Sequence, residues 1–172
     1  IYLSAATLGD NSDLAVSIMK LKVYLQGQPL MFLVDSGSTH SFIDSSLQNR
    51  LTNIQTHEPV SVSVAGGGTL QCHSVLKSCS WSCDQVEFAT SFRLLPLASY
   101  DGIIGLDWLA QHSPMQVDWV QKWMSFSYQG TVVTLQGLLP EDVAVTVFSI
   151  SLIRPVEEKV KHPELQVLLD KH

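Results

Sequence analysis

Apolar residues in this chain recur mainly at every second position, the pattern of half-buried strands, with few stretches at helical spacing. Over Val16–Leu25 they fall largely at alternate places, Gln26-Gly27-Gln28-Pro29 has turn chemistry, and Leu30-Met31-Phe32-Leu33-Val34 is apolar throughout. This predicts a hairpin whose second strand is buried on both faces. The strand runs directly into Asp35-Ser36-Gly37-Ser38-Thr39. Asp44 then offers an N-cap, with Leu47 and Leu51 four residues apart, which predicts a short helix. Between Glu58 and Leu95 the alternation returns. Val60, Val62 and Val64 are interleaved with serines, Ala65-Gly66-Gly67-Gly68-Thr69 forms a loop tip, and alternating segments continue to Phe92, so two hairpins are predicted. Further on come Tyr100–Leu109, containing Ile103-Ile104-Gly105, a short strand over Met115–Trp119, and an alternating stretch from Trp123 to Leu135 that turns at Gln129-Gly130.

Residues 1–13 mix small and polar types and read as a short strand or loose N-terminal arm. After Gly137 the character changes. Val143–Ile153 has the make-up of one more strand, Glu157–Lys161 is charged, and from His162 the chain opens like a helix with Pro163 in its first turn. The organisation predicted is an arm (1–13), an all-β domain (14–138) and a C-terminal extension (139–172). Charged residues make up only 15% of the chain, against about 25% in an average soluble domain. Part of the surface is therefore expected to be uncharged or covered by a partner, which points to an oligomer. The net charge of -6, with ten scattered basic residues, argues against direct nucleic-acid binding. No apolar run approaches the roughly 18 residues of a membrane span, and the N-terminus lacks a signal-peptide arrangement, so an intracellular, cytoplasmic setting without membrane contact is expected. Cys72, Cys79 and Cys83 are few and odd in number, which suits reduced thiols. The start at Ile1 reads as a piece of a longer polypeptide.

The sharpest chemical feature is Asp35, a carboxylate at the end of an all-apolar strand with Ser36-Gly37 beside it. Asp-Ser-Gly alone also makes ordinary turns. Its flanks add more: Leu33-Val34 precede it, Ser38-Thr39 follow, and a second apolar-apolar-Gly element stands at Ile103-Ile104-Gly105. With these features the chain resembles a subunit of the retropepsin-like aspartic proteases. It is similar in particular to the protease of plant Ty3/gypsy-type LTR retrotransposon polyproteins, in Val34–Asp44, in Leu95-Pro96-Leu97 with Tyr100–Leu109, and in Met124-Ser125-Phe126 with Val133–Gly137. The likeness covers roughly residues 14–138, and the tail through Pro163-Glu164-Leu165 looks like the connection toward a reverse transcriptase.

The resemblance implies an all-β, closed-barrel acid-protease subunit with one or two short helices, paired as a two-fold homodimer that cleaves its own Gag-Pol polyprotein, in the cytoplasm or within virus-like particles. Such chemistry places a water between two carboxylates, one taking its proton and the other donating to the peptide carbonyl. Two acids so close cannot both ionise and share one proton. The chain holds a single Asp-Ser-Gly, so the second Asp35 is expected from an identical chain. By resemblance Asp35 is the catalytic acid and base, Ser36 locks the two catalytic loops, and Gly37 leaves room for backbone approach. Ala65, Gly66, Gly67, Gly68 and Thr69 form a mobile flap. Ser38, Thr39, Ile103, Ile104 and Gly105 contribute to the floor under an extended polypeptide substrate. No cofactor or metal is implied.

The chain departs from retroviral members in one linked pair. They carry an acid two positions after the catalytic glycine, paired with an Arg after the second apolar-apolar-Gly element, whereas Thr39 and Leu106 stand here. Joint loss of both charges leaves no orphaned ion, which suggests a different fastening. Cys72-His73 with Cys79 and Cys83 does not match zinc-site spacing, Ser38–Ser41 lacks the frame of a serine hydrolase, and Asp101 and Asp107 read as turn and loop carboxylates. Trp81, Trp108, Trp119 and Trp123 read as core or interface packing. Two alternatives stay open: a silent or domesticated protease-like domain that dimerises or binds peptides, and a piece of the polyprotein that remains monomeric until assembly concentrates it.

Overall fold

The computed structural model describes Tyr2–Leu3 and residues 18–139, all within a unit running from Ile1 to Pro140. The strand and helix anticipated after Val143, and most of the N-terminal arm, lie outside the described residues. The strands are β1 (Tyr2–Leu3), β2 (Met19–Leu25), β3 (Gln28–Val34), β4 (Phe42–Asp44), β5 (Ile54–Val64), β6 (Thr69–Cys83), β7 (Val86–Leu95), β8 (Gly102–Ile104), β9 (Met115–Asp118), β10 (Trp123–Tyr128) and β11 (Thr131–Gln136). Between β8 and β9 lies a single helical turn, α1 (Leu106–Leu109), continued as a 3₁₀ turn over Ala110–His112.

Six strands close a barrel in the order β6-β2-β3-β8-β4-β7, because β7 returns to pair with β6. Closure removes the free sheet edges of those six strands. β3 runs parallel to β8, and β4 runs antiparallel to β8 on its other side, so three short runs from distant parts of the sequence lie together. β5 pairs with the N-terminal half of β6 as a hairpin outside the barrel, and β1 adds to β5 in parallel. The pairing of β6 with β7 shifts register between Leu76 and Cys79, where Ser78 takes φ 45°. The extra residue bends β6, so one strand serves both the outer hairpin and the barrel.

The hairpins appear where alternation predicts them. In β2, Met19, Leu21, Val23 and Leu25 all point into the core, and the β2–β3 turn is tighter than its composition suggests, with Gln28 and Pro29 already paired to Leu25 and Tyr24. The helix expected after Asp44 forms as a 3₁₀ helix over Ser45–Arg50. The Asp44 side chain caps it by accepting from the Ser46 N–H, and Leu47 and Leu51 are buried.

From Leu30 to Val34 β3 is apolar without interruption because it divides two cores. Phe32 and Val34 face the main one, in which Trp81, Phe88, Phe92 and Trp108 stack and Met124, Phe126 and Leu135 of the three-stranded β9–β10–β11 sheet cover the barrel. Leu33, on the opposite face, joins Phe42, Val62, Cys72, Leu95 and Ile103 in a second, smaller core. Of the four tryptophans, Trp81 and Trp108 are core, Trp123 is half-buried and Trp119 is exposed.

Candidate active site

Asp35 is the first residue beyond β3, and alternation puts its side chain on the same face as Leu33, over the second core. Its backbone N–H donates to the Ile104 carbonyl at 3.0 Å, extending the β3–β8 ladder by one rung, so the carboxylate stands on a fixed strand end and not on a free loop. The chain then turns back on itself. The Gly37 N–H donates to Asp35 Oδ1 at 2.9 Å, the Ser38 hydroxyl to Oδ2 at 2.7 Å, and the Ser38 N–H to the Asp35 carbonyl at 3.2 Å. Asp35 is half-buried while Ser36 and Gly37 are exposed, so each carboxylate oxygen has a fixed donor and the group remains reachable.

The loop is fastened to the segment after β8 at two further places. The Leu106 N–H donates to the Ser38 carbonyl at 2.7 Å, and Ser41, fully buried, donates its N–H and its hydroxyl to the two oxygens of Asp107 at 3.0 and 2.7 Å. Gly105 lies under this loop: a methyl on its Cα would strike the His40 carbonyl, with the carbonyl carbon at 2.5 Å and the Ser38 oxygen at 2.9 Å. His40 itself has its basicity lowered, first by burial and then by the nearby Arg93 charge, with Asp107 opposing.

Across the second core, the β5–β6 hairpin carries Val62 and Cys72 into the same apolar cluster as Leu33 and Ile103, with Val64 and Leu70 packed alongside. Its tip is Ala65–Gly68. The Val64 N–H donates to the Gly68 carbonyl at 2.9 Å, and Gly66 and Gly67 take φ 97° and 86°, which non-glycine residues adopt only with strain. Thr69, expected in the tip, is instead the first residue of β6, paired with Ser63.

The expected floor residues are placed as follows. Ser38 is fully buried and donates its hydroxyl to the Asp35 carboxylate. Ile104 points into the main core, and what it presents to the site is its carbonyl. Ile103 does face the second core, Gly105 is buried, and Thr39 is exposed with its hydroxyl 3.0 Å from His40 Nδ1. Asp107, read from the sequence as a loop carboxylate, does accept from backbone N–H groups, those of Ser41 and Trp108, whereas its partner Ser41, 66 residues away, carries no local signal. Among the described residues no group of three His, Cys, Asp or Glu side chains is placed to hold a metal, and no helix is long and apolar enough to cross a membrane.

No curated protein sequence matches the chain. Among solved structures it is similar to the retroviral protease-like domain of Ddi1 from Leishmania major. The TM-score is 0.58 at 16% identity, over 73% of this chain and 98% of that one, a likeness of fold. The family model for the retroviral aspartyl protease matches residues 3–130, well over half of the chain, and the protein therefore belongs to the retroviral aspartyl protease family.

Proposed function

We propose that the protein is an aspartic endopeptidase that acts as a two-fold homodimer on the Gag-Pol polyprotein of a plant Ty3/gypsy-type LTR retrotransposon, in the cytoplasm or within virus-like particles. The observation that carries the reading is the state of Asp35: an intact, half-buried carboxylate at the end of a barrel strand, held on both oxygens by Gly37 and Ser38, in the single Asp-Ser-Gly of the sequence. Each oxygen keeps a lone pair for a water or for the facing carboxylate of a second copy. One Asp35 removes a proton from the water while the other donates to the scissile carbonyl, so the water oxygen attacks and a tetrahedral diol forms without a covalent enzyme intermediate. Ser36 fastens the two loops across the axis, Gly37 admits the substrate backbone, and the glycine-rich tip Ala65–Gly68 closes over an extended peptide.

The test is cleavage of a Gag-Pol fragment spanning natural junctions, by wild type and Asp35→Asn, over a range of enzyme concentrations. Cleavage that is absent in the variant and rises more than linearly with dilute enzyme supports the reading. The fold likeness to a Ddi1 domain favours a second reading, a domesticated dimerisation or peptide-binding module. A folded dimer that binds the fragment without cutting it would select that one.

A further inference from the structure

The catalytic loop, residues 35–41, has no ion pair between positions 39 and 106, where Thr39 and Leu106 are both exposed. Its far end is nevertheless tied, and the tie has a single chemical solution. Three donors converge on the two oxygens of Asp107: the Ser41 N–H on Oδ2 at 3.0 Å, and the Ser41 hydroxyl at 2.7 Å and the Trp108 N–H at 2.8 Å on Oδ1. The Ser41 hydroxyl has one proton, and it is spent on Asp107 because the same oxygen accepts from the Gly105 N–H at 3.1 Å. The order Gly105 N–H to Ser41 to Asp107 is thus fixed in direction. A carboxylate, which only accepts, satisfies every member. A carboxamide of the same shape would turn an NH₂ toward a donor.

We infer that Asp107 is a positioning residue of the proposed peptidase: through Ser41 and Gly105 it sets the placement of the loop that carries Asp35. The path is continuous. Gly105 donates its N–H to Ser41, the next residue Leu106 donates its N–H to the Ser38 carbonyl, and Ser38 and Gly37 donate to the Asp35 carboxylate. A displacement at Ser41 therefore reaches both donors that orient Asp35. This inference rests on the peptidase reading for its kinetic consequence, though not for its structural one.

The experiment takes the full chain as Asp107→Asn, Ser41→Ala, the double variant, and Asp118→Asn. Asp118 is a comparison carboxylate that likewise accepts from two backbone N–H groups, those of Val120 and Gln121, but lies in a remote turn. With a junction peptide as substrate, Asp107→Asn and Ser41→Ala are each expected to lower kcat by about 10- to 100-fold with KM nearly unchanged. The double variant should be no worse than the poorer single one, since both cut the same path. Asp118→Asn should leave kcat near wild type. The second readout needs no activity: in amide NMR spectra of Asp107→Asn the Gly37 and Ser38 resonances should move together with those of Ser41 and Gly105. Changes confined to Ser41, Gly105 and Trp108, or a kcat loss matched by Asp118→Asn, would overturn the inference. If wild type does not cleave at all yet Gly37 and Ser38 still respond, the peptidase reading fails and the positioning path stands.

Discussion

Gly105→Ala separates the two demands that this fold makes on small residues. The backbone at Gly105 is extended, with φ -98° and ψ -175°, so any residue could adopt it, and what requires glycine is space alone. An added methyl would meet the carbonyl carbon of His40 at 2.5 Å and the Ser38 oxygen at 2.9 Å, where ordinary contact begins at 3.4 Å. Residues 38–40 must therefore retreat by about 1 Å, because a packed backbone yields only by moving as a unit. Overpacking of this kind costs about 1–3 kcal/mol. Weakening the Leu106–Ser38 and Gly105–Ser41 bonds adds about 1 kcal/mol each. The sum is serious but within a typical stability of about 5–15 kcal/mol, so a folded variant is expected at low temperature. A shift of about 1 Å in the segment that holds Asp35 should lower kcat by about 100-fold. Gly102→Ala supplies the control. Its methyl would meet the Phe32 ring at 2.5 to 2.8 Å, a clash of similar size with a side chain of the main core and not with the loop that carries Asp35. Thermal melts and junction-peptide kinetics on both variants should give similar losses of stability with a loss of kcat for Gly105→Ala alone. Equal kcat losses in the two, or a Gly105→Ala enzyme within threefold of wild type, would refute the reasoning.

Three further outcomes follow from charge and burial. Burial pushes the Cys83 thiol up to about 12 from an ordinary 9.0, with Asp84 adding to it, so the unfolded chain loses this proton first as pH rises. Stability should fall above pH 9 by up to about 1.4 kcal/mol per pH unit, and urea titrations of Cys83→Ala should show a shallower slope over that range. His40 is shifted the other way, below its ordinary 6.5, chiefly by burial, so the unfolded chain takes up the proton first as pH falls. Stability should decline as pH drops through 6.5, His40→Gln should flatten that decline, and an NMR titration of the His40 ring should place its midpoint below that of a model histidine. Asp44 is buried and accepts from the N–H groups of Ser46 and Leu97, each at 2.7 Å. Asp44→Asn turns an NH₂ toward one of these donors and should cost about 2–3 kcal/mol in a denaturant titration.

How much of this could be read beforehand depends on how local the cause was. The hairpins were legible because alternation is a property of neighbouring residues: β2 buries every second residue whatever else the chain does. The two-sided burial of β3 was legible for the same reason, although the sequence could not tell that two separate cores, one through Phe32 and one through Leu33, were its cause. Asp35 was legible because a carboxylate ending an apolar strand conflicts with its surroundings. What stayed hidden was long-range. The burial of Ser38 under its own carboxylate, the inward turn of Ile104 and the tie from Ser41 to Asp107 depend on β8 lying between β3 and β4, a contact among segments separated by some 60 residues that no local pattern encodes.

That topology also bears on why a neutral pair can stand at positions 39 and 106. The loop after β3 must be held against the segment after β8, since the Asp35 N–H already bonds the Ile104 carbonyl and nothing in a strand ladder continues past the turn. A surface ion pair would do this weakly, because solvent screens it. Here the work falls to a buried hydroxyl, a half-buried carboxylate and two backbone bonds, at Ser41, Asp107, Ser38 and Gly105, which solvent screens less and whose geometry admits few substitutes. Activity should therefore be insensitive to changes at Leu106 that spare the backbone, and sensitive to any that disturb Ser41, Asp107, Ser38 and Gly105, as junction-peptide kinetics would show.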